Sequence, residues 1–315
     1  MIPFQTLRKL SLEKRLNVSC RLKFAICHVK LVLNTESGKP RGPYFDREGD
    51  YICSRLVILM VKKKSRIWKI VVLIFSTAII TMLIVMVYQW VVEKRISFVE
   101  YREFGIQIPV NYTVHGIDVS KYQDVINWQS VKNMNVEDVR ISFVFVKATE
   151  GLGNEDQMFG RNWKKLKEAG LIRGAYHYFI PTKSGKAQAE NFINSVTLLP
   201  GDLPPVLDIE QTYGVAPEKI RQRAKEWLQT VQAYYGTAPI IYTNVDFYER
   251  YLKDEFDGYL LWAAHYLQPA QPRIYRSWSF WQHNERGRVN GCYTIVDFDV
   301  FNGDSLEFRK LLLNR

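Results

Sequence analysis

Cysteine is scarce: there are four in 315 residues, and Cys20, Cys27 and Cys53 all fall within the first 53 positions. Cys292 is alone in the long remainder, which excludes a disulfide framework there. Cys20 and the Cys27-His28 pair lack the short paired spacing of a zinc site. No glycine-rich phosphate loop stands at a strand-to-helix turn, so the usual sign of a nucleotide-binding domain is missing. Acidic residues are scarce at one end only. Residues 1–69 hold 16 of the 43 Lys/Arg but 5 of the 32 Asp/Glu, whereas residues 70–315 carry 27 of each. The net charge of +11 therefore belongs to the N-terminal segment, and the neutral remainder argues against nucleic acid as a partner.

Residues 70–90, IVVLIFSTAIITMLIVMVYQW, contain no charge. At ~1.5 Å per residue this run spans about 32 Å of helix, the thickness of a hydrocarbon core. Its β-branched residues on every side suit lipid better than a packed interior. Lys62, Lys63, Lys64, Arg66 and Lys69 precede it, and Glu93, Lys94 and Arg95 follow with little net charge. The positive-inside rule predicts a single-pass protein of the cell membrane, with residues 1–69 a basic cytoplasmic tail and residues 91–315 outside. No small-x-small cleavage site follows Trp90, which favours an uncleaved anchor over a signal peptide. Residues 1–59 show no sustained period, and Met60-Val61-Lys62-Lys63-Lys64 reads as the start of a membrane-targeted chain. On that reading translation begins at Met60 and residues 1–59 are an upstream gene-model extension or a disordered tail.

Residues 91–112 read as a juxtamembrane linker, and residues 113–315 as one folded unit. In that unit β-rich runs at 115–119, 142–147, 173–179, 205–210, 239–243, 259–263, 279–283 and 294–299 alternate with helical patterns. One helical stripe carries Met158, Trp163, Leu166 and Ala169; another carries Ile220, Ala224, Trp227, Leu228 and Val231, opening at Pro217 and stopping at Gly236. Eight strands with intervening helices predict an α/β fold, a modified, TIM-like (β/α) barrel preceded by one transmembrane helix. An open doubly wound sheet is the alternative.

In such a barrel reactive groups collect at the C-terminal strand ends, because the loops there surround one cavity. Acidic residues follow that distribution: Asp118 near the end of 115–119, Asp208 and Glu210 at the end of 205–210, Asp297 and Asp299 at the end of 294–299. Residues i and i+2 of a strand share a face, so Asp208 and Glu210 point the same way with Cα atoms ~6.5 to 7 Å apart. Two close carboxylates cannot both ionise cheaply, which leaves a proton available near neutral pH. A lone D-x-E is more often a strand ending in solvated acids; three acid-bearing strand ends in one barrel favour a catalytic site. Aromatic and amide side chains at the same ends, Tyr176, Tyr178, Tyr242, Trp262, Tyr266, Trp281 and Gln282, suit a groove that packs sugar faces and bonds sugar hydroxyls.

These residues fall within longer motifs: GIDVSKYQDVINW (116–128), FVKATEG (145–151), AGLIRGAYHYF (169–179), PVLDIE (205–210), IIYTN (240–244), LWAAHY (261–266), WQ (281–282) and VDFDVF (296–301). In this order over about 200 residues the chain resembles the glycoside hydrolase family 25 lysozymes, muramidases that cut peptidoglycan between N-acetylmuramic acid and N-acetylglucosamine. The resemblance implies Glu210 as general acid and Asp208 as nucleophile or as orienter of the substrate's N-acetyl group, with net retention. It implies that Asp118 and Asp297 tune the site and bind substrate, that Tyr176, Tyr178 and Trp262 line the groove, and that no metal or organic cofactor is needed. Family members often carry Asn where Asp299 stands, so an extra carboxyl here either raises the acid's pKa or faces solvent. Alternatives are a membrane-anchored peptidoglycan-binding module without turnover, and a hydrolase of another N-acetylated glycan such as chitin.

Overall fold

The computed structural model describes residues 47–93 and 98–314, with side chains of the first helix described over 66–91. The tail at 1–46, with Cys20 and Cys27, lies outside the described residues. One helix runs Arg47–Glu93, and within it Arg66–Val91 is long and apolar enough to cross a membrane. Its serine and threonines turn back on the helix: Ser76 and Thr77 donate to the carbonyls of Leu73 and Ile74 at 2.9 Å, and Thr81 to that of Thr77 at 2.8 Å. Those three hydroxyls need no outside partner, which suits an apolar environment.

Residues 98–314 begin with a hairpin, β1 (Phe98–Tyr101) and β2 (Ile106–Pro109), inside the stretch read as a linker. The strands that follow are β3 (His115–Val119), β4 (Asn135–Val136), β5 (Val139–Glu150), β6 (Asn154–Glu155), β7 (Ile172–Tyr178) and β8 (Val206–Asp208). After them come β9 (Ile240–Asn244), β10 (Leu260–Ala264), β11 (Phe280–Gly287) and β12 (Val296–Phe301). Eight of these close a barrel in the order β3-β5-β7-β8-β9-β10-β11-β12, and β12 returns to β3. Closure excludes the open doubly wound sheet. All eight expected strands are present, with ends moved by up to four residues.

Two departures from a regular (β/α) barrel matter for function. β12 runs antiparallel to both β11 and β3, so its N-terminal end shares the mouth with the C-terminal ends of the others. No helix separates β10 from β11 or β11 from β12. The hairpin covers the outside there: Phe98 meets Trp281 edge-on at 6.1 Å and Phe104 meets Phe298 at 5.4 Å. Helices cover the rest. The helix Pro217–Tyr235 buries Ile220, Ala224, Trp227, Leu228 and Val231, starts with Pro217 in its first turn, and ends where Gly236 takes φ 72°. In Phe159–Ala169 the expected Leu166 is buried and Trp163 and Ala169 pack against the core, while Phe159 and Asn162 are buried beside them, Asn162 accepting Trp128 Nε1–H at 3.1 Å.

The barrel interior is an apolar plug of Phe143, Phe145, Val206, Ile240, Phe280 and Phe301. Its rings fit because two strand positions lack a side chain: a Cβ on Gly116 would sit 2.3 Å from the Phe143 ring, and one on Gly174 2.5 Å from the Phe145 ring. Phe143 is wedged against Phe145, Phe280 and Phe308 and has nowhere to move. Gly116→Ala is therefore expected to cost ~1–3 kcal/mol by overpacking, read as a lowered denaturation midpoint. An unchanged midpoint would show that the plug can yield.

Candidate active site

Strand alternation sends one side chain in two into the barrel, and near the mouth those positions are polar. Asp118 of β3 lies directly across from Asp297 of β12. Asp208 closes β8, and Glu210 lies two residues beyond the strand end, close enough for its charge to act on Asp208. Asp299 sits one lumen position deeper than Asp297 and is fully buried, donated to by Trp262 Nε1–H at 2.8 Å. The expectation that Asp297 and Asp299 reach the mouth from a C-terminal strand end needs correction: the antiparallel course of β12 puts Asp297 at the mouth and Asp299 below it.

An amide holds this group together. Gln282 Nε2–H donates to Asp118 Oδ2 at 2.6 Å, while Gln282 Oε1 accepts the hydroxyls of Tyr242 at 2.8 Å and Tyr266 at 2.5 Å. Tyr178 hydroxyl lies 3.3 Å from that of Tyr213, a half-exposed residue held at φ 49°. Tyr176 meets the Trp262 ring edge-on at 6.5 Å, and Trp262 stacks on Phe145 at 4.3 Å. Trp262 and Tyr242 are buried, so they form the floor, whereas Tyr176, Tyr178 and Tyr266 retain exposure. Trp281 is not in the site. Because Gln282 points inward, its neighbour points outward, where Trp281 packs among Phe98, Tyr112 and Trp278 and donates to His265 carbonyl at 2.9 Å.

Lys147 is a site residue that composition and strand-end reasoning passed over. It follows Phe143 and Phe145 on the inward face of β5, a spacing that FVKATEG already displayed. Its Nζ stands 2.6 Å from Glu150 Oε2 and 4.7 Å over the Tyr178 ring.

The plug beneath removes water from these carboxyls and raises their pKa values. Burial is the main cause at Asp208, followed by the charge of Glu210, with Lys147 opposing. Burial also raises Glu210, again opposed by Lys147. Asp118 is raised by burial and then by Asp297. Asp297, at the solvated edge, is pushed up to about 6 by burial and the Glu285 charge. A carboxyl raised in the folded state stabilises the fold below its unfolded value of ~3.9 and loses that contribution as pH climbs through the folded value. Asp297→Asn should thus gain on the wild type by a few degrees of denaturation temperature as pH rises from ~4 to about 6, then hold a constant lead. A lead that shrinks over that window would contradict the assignment.

Comparison with known proteins places this arrangement. Residues 117–292 match the glycosyl hydrolases family 25 profile. The chain is 44% identical over 211 residues to the uncharacterized protein YegX of Escherichia coli K12, covering 66% of this chain and 78% of that one. It is 34% identical over 217 residues to lysozyme M1 of Streptomyces globisporus, covering 64% and 72%. The structure of a family 25 glycosyl hydrolase from Bacillus anthracis superposes with a TM-score of 0.60 at 30% identity, over 64% of this chain and 95% of that one. The chain belongs to family 25 of the glycosyl hydrolases and is a glycoside hydrolase.

Proposed function

We propose that this protein is a muramidase that hydrolyses the β-1,4 bond between N-acetylmuramic acid and N-acetylglucosamine in peptidoglycan. The observation that carries the reading is the acid cluster above an apolar plug: Asp208 with Glu210 acting on it and, across the barrel, Asp118 paired with Asp297. Similar proteins called lysozymes support the substrate.

Desolvation raises both carboxyls and the Glu210 charge raises Asp208 further, so the pair favours sharing one proton over double ionisation. Asp208 Oδ1 is buried and accepts no hydrogen bond. In the complex the substrate's N-acetyl N–H supplies that bond, which favours ionised Asp208 and leaves the proton on Glu210. Glu210, less buried and nearer the opening, then protonates the glycosidic oxygen as the bond to muramic acid breaks. Asp208 stabilises the oxocarbenium-like centre, either by direct attack or by aiming the N-acetyl oxygen. Asp118 and Asp297 keep the far wall polar, and Tyr176, Tyr178 and Tyr266 face the sugar rings.

The helix containing Arg66–Val91 anchors the enzyme with its basic N-terminal side in the cytoplasm and the barrel outside. Tethering confines cutting to the adjacent wall. To test activity, the full chain in detergent is incubated with purified peptidoglycan and the fragments are read by mass spectrometry, beside Glu210→Gln. New muramic-acid reducing ends from the wild type alone are expected; binding without any released fragment would make it a binding module. Fractionation that recovers the protein only in soluble form would end the tethering proposal.

A further inference from the structure

Asp299 is the one acid of the cluster with no access to the mouth. Its side chain is 0% exposed, and Oδ1 takes the Trp262 indole N–H at 2.8 Å. Oδ2 is buried with no N–H or hydroxyl donor reaching it. What stands beside it is another carboxyl: Asp299 pairs across the strands with Gly116 of β3, Asp118 is the next residue on that inward face, and its charge is the strongest neighbouring one acting on Asp299. Two ionised carboxylates offer only acceptors, so a bond between them requires a proton on one. The surroundings choose which. Asp118 already accepts Gln282 Nε2–H, whose direction follows from the two tyrosine hydroxyls on Gln282 Oε1, and it lies nearer the solvated Asp297. Asp299 is deeper and has one donor.

We propose that Asp299 is a positioning residue that stays unionised in the working enzyme and donates its Oδ2 proton to Asp118, fixing that carboxyl against the far wall of the site. The role in catalysis rests on the muramidase reading; the protonation state does not. Negative charge then stays with the Asp118 and Asp297 pair nearer the mouth. The ionisable groups acting on Asp299 are Asp118 on β3 and Asp297 on β12, both acidic, while Trp262 on β10 contributes a neutral donor. Burial and these neighbours push Asp299 well above the ordinary carboxylate range. Lys147 on β5 acts on Asp208 and Glu210.

The test compares the full-length wild type with Asp299→Asn and Asp299→Leu. Infrared difference spectra at pH 7.5 should show the carbonyl stretch of an unionised carboxylic acid in the wild type that is missing from Asp299→Asn. On peptidoglycan, Asp299→Asn keeps an N–H donor to Asp118 and should retain kcat within about threefold, whereas Asp299→Leu should lose on the order of 100-fold through misplacement of Asp118. Ionisation of Asp299 should cut the wild-type rate at high pH, and Asp299→Asn should extend that alkaline limb. If the variants fail to fold, the wild type labelled with [13C]aspartate still decides, through the carboxyl resonance coupled in space to the Trp262 indole proton. An ionised signal at pH 7.5, or a folded Asp299→Asn as inactive as Asp299→Leu, overturns the proposal. Absence of hydrolysis by every form would defeat the muramidase reading alone, since the spectra report the proton without turnover.

Discussion

Glu210→Gln is expected to lower kcat on peptidoglycan by 10²- to 10⁴-fold, on the scale of ~10²–10⁴ that a positioned general acid contributes. An amide fills the same space and keeps hydrogen-bonding capacity, but it carries no proton that can be given to a leaving oxygen. KM should change little, because the surrounding tyrosines and carboxyls remain. Stability should hold or rise, since the substitution removes the second-largest influence on Asp208. Turnover within about tenfold of the wild type, measured with denaturation temperature alongside, would place the proton donor elsewhere. Asp208 would then be the first residue to examine, being the more deeply buried of the two.

The second large effect lies away from the mouth. Arg173, near the start of β7, holds Asp202 through two bonds, Nε to Oδ1 at 2.7 Å and Nη2 to Oδ2 at 3.0 Å, and both side chains are buried. The guanidinium also lies 3.9 Å from the centre of the Trp163 ring, tying the helix Phe159–Ala169 to the barrel, and donates to the Trp163 carbonyl. Arg173→Met keeps much of the packing but leaves the Asp202 carboxylate buried, with Leu199 N–H as its remaining partner at 2.8 Å. Breaking a buried pair from one side costs ~3–5 kcal/mol. The denaturation temperature should fall by on the order of 10 °C, with kcat of the folded fraction unchanged. Adding Asp202→Asn should recover part of the loss, because the stranded charge is then gone. A single variant as stable as the wild type would mean that water reaches Asp202.

The proposed site was legible where it follows strand periodicity. Asp208 and Glu210 stand out as paired acids at a strand end, although the strand stops at Asp208, and Asp118 declares its position near the end of an apolar strand. Trp281 was misread for the opposite reason. An aromatic next to an inward amide looks the same in sequence whether it faces sugar or core, and only the hairpin Phe98–Pro109 lying over it decides. Lys147 was hidden among apolar neighbours, although its alternation with Phe143 and Phe145 carried the information.

By itself, the sequence determined the eight barrel strands, the apolar span and the family, because alternation and ordered motifs are local properties. Only the tertiary structure decided the direction of β12, and with it that Asp297 reaches the mouth while Asp299 is sealed below. Strand direction depends on how the chain returns after β11, a long-range choice that a run such as VDFDVF does not encode. The same holds for the protons: whether a carboxyl is ionised depends on which rings and acids from distant strands surround it, and the Phe plug, Gln282 and Trp262 come together only in the closed barrel.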